Sequence, residues 1–301
     1  MATTQSVLEN LAGAPISWGI CEVPGWGLQL PPRRVLAEMA EVGLVATELG
    51  SAGYLGTDPD EIAELVSEFG LRVIGGFVPL VLHTDQAREQ MIADARQAAH
   101  VLAGVGADMF VTAVVVDAEW SARVPLCDAD WQTMFDGFAI VDDICDEFGL
   151  TQVLHPHVNT LVETADDVDR VLAGSDVLWC LDTGHLTIGG VDPVAFARTY
   201  ADRIALVHVK DVKADLIAPL NNKELSLFNA TREGIFPAAG QGDVPIGEII
   251  DVMLAADYDG WYVLEQDVAI TGGLPALGSG PVLAVQDSIT YLKHHLCTPG
   301  G

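Results

Sequence analysis

Four apolar runs in the second half of the chain each end in a side chain that can bind a metal ion. Imidazole nitrogens and carboxylate oxygens together suit a divalent cation such as Mn, Co, Zn or Mg. The residues lie 27, 26 and 57 positions apart, and they are His155, Asp182, His208 and Glu265. If the runs are strands of one barrel, their carboxyl ends share a single mouth. The sequence therefore predicts that these four residues bind one metal ion.

Each of the four positions also has an ordinary structural explanation. A single buried histidine is more often a hydrogen-bonded core residue than a ligand. Glu265, followed closely by Asp267, could form a solvated strand end. The recurrence of metal-competent residues on four successive runs favours metal binding over four separate explanations.

Other polar residues near these positions are candidates for contact with a substrate. His157 and His185 could bind the substrate, or they could orient a ligand. Lys210 could bind a substrate oxygen or stabilise developing negative charge, but it could equally form a salt bridge with Asp211 or another acid. Glu48 ends the second apolar run and is predicted to point into the same mouth.

Two tryptophans near the first apolar run, Trp18 and Trp26, could form an apolar wall for a sugar ring. Trp18 also fits a position in the barrel core. Trp26 belongs to a Gly-Trp-Gly loop that is expected to cover the mouth together with segment 272–275 and the long connection 212–245. Loops of that length in a compact domain are usually lids or binding loops.

Eight short apolar runs alternate with segments of helical periodicity, which is the pattern of βα units around a parallel sheet. The runs cover 14–18, 45–49, 72–77, 109–116, 152–155, 177–182, 204–209 and 261–265. The intervening helices are expected from Pro32 to before Gly43, from Pro59 to before Gly70, and at about 86–103, 129–148, 164–173, 192–201, 246–256 and 282–296. The sequence predicts an α/β fold, a (β/α)8 TIM barrel, with residues 1–301 in a single domain.

Composition narrows the class of protein. Of the 301 residues, 50% are hydrophobic, which is enough for one large core. The formal net charge of −29 argues against a nucleic acid partner, because a polyanion would be repelled. No secretory signal or membrane-spanning run is evident, so we expect a cytoplasmic protein that does not bind a membrane. The five scattered cysteines are typical of reduced thiols.

Several motifs resemble those of a known family. They are GAPISWG at 13–19, GWYVLE at 260–265, HPHVNTLVET at 155–164, LDTGHL at 181–186, HVKDV at 208–212 and GQGD at 240–243. With these motifs the chain resembles the xylose-isomerase-like TIM barrels, the superfamily of sugar isomerases, epimerases and endonuclease-IV-type proteins. The resemblance covers nearly the whole chain, and it is strongest to the inosose dehydratase branch.

The resemblance implies one divalent metal ion, usually Mn or Co, with Mg or Zn as alternatives, on His155, Asp182, His208 and Glu265. His155 stands where ketose 3-epimerases of the superfamily carry a glutamate, which sets this chain apart from their two-glutamate proton relay. The implied substrate is a small polyol or sugar with a ketone, and the implied reaction begins with removal of its α proton.

In that reaction we expect Glu48 or His157 to transfer protons, while His185 and Lys210 hold substrate oxygens. Loss of a β hydroxyl would make the protein an inosose dehydratase-like lyase. Two alternatives remain at this point: an isomerase or epimerase acting on a ketose or 3-keto-glycoside, and a non-catalytic or nuclease-like barrel. The resemblance also implies a homodimer or homotetramer.

Overall fold

The computed structural model describes residues 2–297 and confirms the predicted TIM barrel. Eight parallel strands close into a barrel in chain order, with β8 paired to β1. The strands are β1 Leu11–Gly13, β2 Ala46–Glu48, β3 Arg72–Leu80, β4 Met109–Val114, β5 Thr151–Leu154, β6 Leu178–Asp182, β7 Ile204–Val209 and β8 Tyr262–Leu264.

The helices surround this barrel and include every helix that the sequence predicts. They are α1 Thr4–Glu9, α2 Pro32–Glu41, α3 Pro59–Ser67, α4 Arg88–Gly104, α5 Asp128–Phe148, α6 Ala165–Gly174, α7 Thr183–Ile188, α8 Pro193–Tyr200, α9 Ile217–Asn221, α10 Leu227–Arg232, α11 Ile246–Ala255 and α12 Pro281–Cys297. Side-chain caps fix several of them: the Asp58 carboxylate accepts from two backbone N–H groups at the start of α3. Among the described residues, no helix is both long and apolar enough to span a bilayer.

The first strand differs from its predicted position. The run 14–18 is not a strand: β1 ends at Gly13, and Pro15–Trp18 forms a 3₁₀ turn closed by Gly19 at φ 84°. Pro15 has no N–H to donate to a neighbouring strand, and its fixed φ suits the first position of a helical turn. The apolar character of this run reflects burial in a turn rather than in the sheet.

The core has two parts. Strand side chains that point outwards pack against the helices, whereas those that point inwards fill the barrel below its mouth. The inner layer is built from small and branched residues, namely Ala12, Ala14, Ala46, Ile74, Val111, Val153, Cys180, Leu206 and Val263. The barrel is therefore filled below the mouth, and polar groups at the strand ends rest on an apolar floor.

The connection 212–245 is a structured segment containing α9, α10 and a 3₁₀ turn. Its two ends are tied to the buried carboxylate of Asp211, which accepts hydrogen bonds from the backbone N–H groups of Val212, Gly240, Gly242 and Val244 at 2.8–3.0 Å. A side chain at Gly242 would collide with this carboxylate, so only glycine allows the approach. One side chain thus fixes both ends of the segment that was predicted to cover the mouth.

Replacing Asp211 with asparagine should loosen this segment. The amide nitrogen of asparagine would face backbone donors, leaving buried N–H groups without acceptors at a cost of about 2–3 kcal/mol. We expect a loss of this size in urea unfolding and faster hydrogen exchange at the amides of residues 240–244. Asp243→Asn is the matched control, because the Asp243 carboxylate accepts one backbone hydrogen bond, from Ala214, at an exposed position. Equal effects of the two substitutions would contradict the anchoring role of Asp211.

A carboxylate on α5, which accepts a hydrogen bond from Gln152 of β5, should make the free energy of unfolding depend on pH. Burial, reinforced by the charges of Asp146 and Asp143, raises the pKa of Asp142 to about 6. Because the folded state favours the protonated form of Asp142, this residue contributes to stability at low pH. That contribution is lost as the pH rises through about 6.

Asp142→Asn removes the cost of burying an ionised carboxylate at high pH. It also retains an acceptor for the Gln152 amide, which donates to Asp142 at 3.0 Å. We expect it to raise Tm by about 1–3 °C at pH 8, with a much smaller gain at pH 4. Asp143→Asn, at an exposed neighbouring position, is the control. A gain of the same size at both pH values would show that ionisation of Asp142 is not the cause.

Candidate active site

The structure brings the four predicted metal ligands together at the mouth of the barrel. His155, Asp182, His208 and Glu265 are all buried, and each offers one ligand atom within 4.8 Å of the others. Nε2 of His155 lies 3.2 Å from Oδ2 of Asp182, and Nδ1 of His208 lies 3.8 Å from the same oxygen. We call these four residues the metal cluster.

Strand pairing places the metal cluster. Asp182 and His208 are direct partners in the β6–β7 ladder, so their side chains leave the sheet side by side. The backbone N–H of His155 donates to Thr112 at 2.8 Å, and that of Glu265 donates to Val209 at 3.2 Å, which continues the ladders just beyond β5 and β8. The cluster therefore stands on four adjacent strands whose spacing is fixed by backbone hydrogen bonds.

The unsatisfied polar atoms of the cluster fit a bound cation. Nδ1 of His208 and Oε2 of Glu265 are in contact, yet both are buried without a hydrogen-bond partner. Buried polar atoms are nearly always satisfied, and a metal ion accepts a lone pair from each such atom. Two imidazoles and two carboxylates form a donor set that suits Zn, Mn or Co.

Lys210 lies beneath the cluster and is fully buried. Its Nζ donates to Oδ1 of Asp267 at 2.8 Å and lies 3.4 Å from Glu265 and 3.7 Å from Asp182. Burial alone would lower the pKa of Lys210, but these three carboxylates outweigh it and raise the pKa above its usual value. Of the roles left open by the sequence, the structure shows a salt bridge with another acid, Asp267, and not with Asp211.

His157 lines the cavity and presents one free ring nitrogen. Its Nδ1 donates to the carbonyl oxygen of Val158 at 2.8 Å, which leaves Nε2 as the unprotonated nitrogen of a neutral ring. Burial, with the nearby charges of His155 and Lys210, lowers the pKa of His157 to about 3. The ring packs on His185 with a centroid separation of 3.9 Å.

His185 is placed behind His157 and does not line the cavity. Its Nδ1 accepts from the backbone N–H of Val158 at 3.3 Å, and its Nε2 lies 2.9 Å from Nζ of Lys210. His185 and Lys210 are thus positioned to support other residues of the site rather than to contact a ligand in the cavity.

Glu48 lines the cavity at the end of β2, as the sequence predicts for its direction. Its Oε1 lies 3.1 Å from Nε2 of His208, the ring nitrogen that faces away from Glu265. Glu48 can therefore orient a metal ligand and still present a carboxylate oxygen to the cavity.

The cavity above the cluster has a volume of about 1200 Å³, and its aromatic walls differ from those predicted. Trp26 lines it, packed edge-on against Phe228 at 5.8 Å. Trp18 does not: it is fully buried and donates its indole N–H to Glu38 at 2.9 Å, so it belongs to the core beneath α2.

Two aromatic residues that the sequence did not single out line the cavity in place of Trp18. Phe77 of β3 and Trp120 of the loop after β4 stack with their centroids 6.1 Å apart and their planes 13° apart. Phe77 also contacts the rings of His155 and His157. The signal for Trp120 was its place just after a strand, whereas Phe77 lies within an ordinary apolar run.

Comparison with known proteins agrees with this architecture. Residues 36–294 match the family model described as a xylose isomerase-like TIM barrel. The chain belongs to this family. Within it, an inosose dehydratase of Geobacillus kaustophilus is 34% identical over 272 residues, which cover 85% of this chain and 87% of that protein.

Solved structures of this xylose isomerase-like fold are similar over almost the whole chain. The probable 3-DHS dehydratase AsbF of Bacillus anthracis has a TM-score of 0.70 at 17% identity, covering 94% of this chain and 98% of its own. The IolI protein with a bound zinc atom has a TM-score of 0.68 at 14% identity, covering 95% and 96% of the two chains. These two likenesses establish the fold.

Metal analysis of the purified protein tests the cluster. We expect about one divalent ion per chain and a fall in Tm when a chelator removes it, because a bound ion stabilises the folded state. Asp182→Asn and Glu265→Gln should each weaken metal binding by about 100-fold or more. Glu22→Gln is the matched control, since Glu22 lines the same cavity outside the cluster. Undiminished metal content in both cluster variants would rule the cluster out.

Proposed function

We propose that this protein is a divalent-metal-dependent dehydratase acting on a keto-polyol of the inosose type. The observation that carries the proposal is the metal cluster at the floor of a cavity that also presents the free Nε2 of His157. The 34% identity to an inosose dehydratase over most of both chains supports the substrate class. Mn or Co is the metal proposed for the cluster.

Each step of the proposed reaction is assigned to particular residues of the chain. The four residues of the metal cluster would hold a divalent ion, which would supply Lewis acidity toward the substrate ketone. His157 is the general base, because its Nδ1 is committed to the Val158 carbonyl and its Nε2 can accept the α proton. The same proton is then delivered to the departing β hydroxyl, so the substrate loses one water molecule overall.

Other residues hold this arrangement in place. Glu48 orients His208 through Nε2 and accepts a hydrogen bond from a substrate hydroxyl in the cavity. Lys210 and His185 keep the His157 ring in position, Lys210 through its 2.9 Å contact with His185 and His185 through the packing of the two rings. Phe77, Trp120 and Trp26 enclose the apolar faces of the substrate ring and exclude water from the reacting atoms.

A second candidate function is isomerisation or epimerisation of a keto-sugar. It is favoured by the presence of two separate proton acceptors, Glu48 and His157, in one cavity, since the proton could return at another position. A nuclease-like role is disfavoured, because none of the described residues that line the cavity is a lysine or arginine.

Substitutions at the two proton acceptors should separate their roles. His157→Asn is expected to lower kcat for an inosose by about 10²–10⁴-fold while the protein still binds one metal ion. Glu48→Gln should cost less in kcat if it only orients His208 and a hydroxyl. The measurement is the ultraviolet absorbance of the conjugated enone product, which isomerisation does not produce.

Asp182→Asn provides the reference, because it is expected to lose metal and turnover together. Full activity in metal-stripped protein would contradict the proposal, and so would an unchanged kcat in His157→Asn. Turnover that generates a new isomer without the enone absorbance would establish the epimerase alternative instead.

A further inference from the structure

The cavity is much larger than the proposed reaction requires. Its volume of about 1200 Å³ exceeds the ~300–1000 Å³ of pockets that enclose drug-sized ligands. A single six-membered polyol ring on the metal cluster would leave a large part of this space to water.

The additional space lies over the other half of the barrel. The metal cluster stands on the ends of β5 to β8, whereas a second group of lining residues lies at or beyond the carboxyl ends of β2, β3 and β4. We call this group the outer chamber, and it consists of Ala52, Pro79, Ala87, Met91, Asp94 and Asp117. Because β2, β3 and β4 are adjacent strands, these residues form one continuous surface beside the cluster.

An aromatic wall leads from the metal cluster to the outer chamber. The Phe77 ring contacts the His155 ring at 5.7 Å on one side and stacks on Trp120 on the other. The loop that carries Trp120 is ordered by Asp117, whose carboxylate accepts from the backbone N–H groups of Glu119 and Ser121 at 3.1 and 3.0 Å. A substituent of a ring that is bound at the metal cluster can therefore extend along this fixed apolar surface into the outer chamber.

The charge of the cavity limits what this extension can be. Its described lining contains seven carboxylates and no lysine or arginine; the carboxylates are Glu22, Glu48, Asp94, Asp117, Glu119, Glu265 and Asp267. One divalent cation together with Lys210 does not offset this negative charge. A phosphate or carboxylate would thus enter a negative cavity without a cationic partner.

Basic residues near the cavity are held elsewhere. Arg88 pairs with Asp85 at 2.7 Å, and Arg123 pairs with Glu163 and Asp167 at 3.1 and 2.6 Å. Apart from the buried Lys210, Lys223 also contacts the lining, and its Nζ donates to the Asn159 amide oxygen at 3.3 Å.

We propose that the substrate is a keto-polyol bearing an additional uncharged substituent, which the outer chamber holds, and that phosphorylated polyols are excluded. This inference rests on the proposed function for the identity of the reacting ring. It adds a second recognition region on the opposite half of the mouth, with a size and charge that a free polyol ring does not use.

Binding of three inert probes to the metal-loaded full chain tests this inference by calorimetry. The probes are inositol, an uncharged O-galactoside of inositol, and inositol 1-phosphate. We expect the galactoside to bind about 10-fold more tightly than inositol, and the phosphate about 10-fold more weakly or worse.

A bulky side chain in the outer chamber should remove the preference for the galactoside over inositol. Ala87→Trp is expected to weaken galactoside binding by about 10-fold while inositol binding changes by less than about 2-fold. Ala93→Trp, at an exposed position on α4, the helix that begins directly after Ala87, is the matched control and should change neither. If Ala87→Trp fails to fold, Ala52→Trp blocks the chamber from an exposed loop position.

The outcomes separate this inference from the proposed function. Inositol binding without preference for the galactoside, or equal losses of both probes in Ala87→Trp, would overturn the outer chamber alone. Tighter binding of the phosphate, abolished by Lys223→Ala, would overturn the exclusion of anions. Failure of all three probes to bind would overturn the inference together with the polyol substrate class.

Discussion

The ion pair between Lys210 and Asp267 is the interaction on which the site depends. Nζ of Lys210 lies within 3.7 Å of three buried carboxylates, those of Asp182, Glu265 and Asp267. Burial raises the pKa values of Asp182 and Glu265, but the Lys210 charge, together with the contacts that His155 makes to Asp182 and His208 makes to Glu265, outweighs it and holds both pKa values below their usual range. Without this ammonium group, the pKa values of Asp182 and Glu265 would rise, and both carboxylates would more readily lose the charge that binds a cation.

Barrel topology divides the mouth into two functional halves. Strands β5 to β8 carry the charged and imidazole groups, and direct pairing of Asp182 with His208 sets their spacing. Strands β2 to β4 lead into apolar and acidic surfaces, with Phe77 at the boundary. Chemistry and recognition can therefore change separately, because they depend on different strands of one rigid sheet.

The sequence predicted the barrel and the convergence of its four strand ends, because buried parallel strands leave continuous apolar runs and their ends face one mouth. It failed where contacts rather than periodicity decide the structure. Pro15 turned an apolar run into a 3₁₀ turn and placed Trp18 in the core. For Lys210 the sequence left open a salt bridge with Asp211 or with another acid, since partners across a barrel have no fixed spacing in sequence, and the structure shows Asp267 as the partner. For the same reason, nothing in the sequence distinguished Phe77 from other apolar strand residues.

The anchoring of the 212–245 segment by Asp211 has a consequence for how this barrel can diversify. Both ends of the segment converge on one carboxylate through backbone N–H groups, and these contacts require particular residues only at Gly240 and Gly242, where a side chain would clash. The intervening part, including Phe228 in the cavity wall, is thus a replaceable cassette whose junctions do not depend on its content. New substrate ranges can arise by exchange of this cassette, while the ligands on β7 and β8 keep their positions.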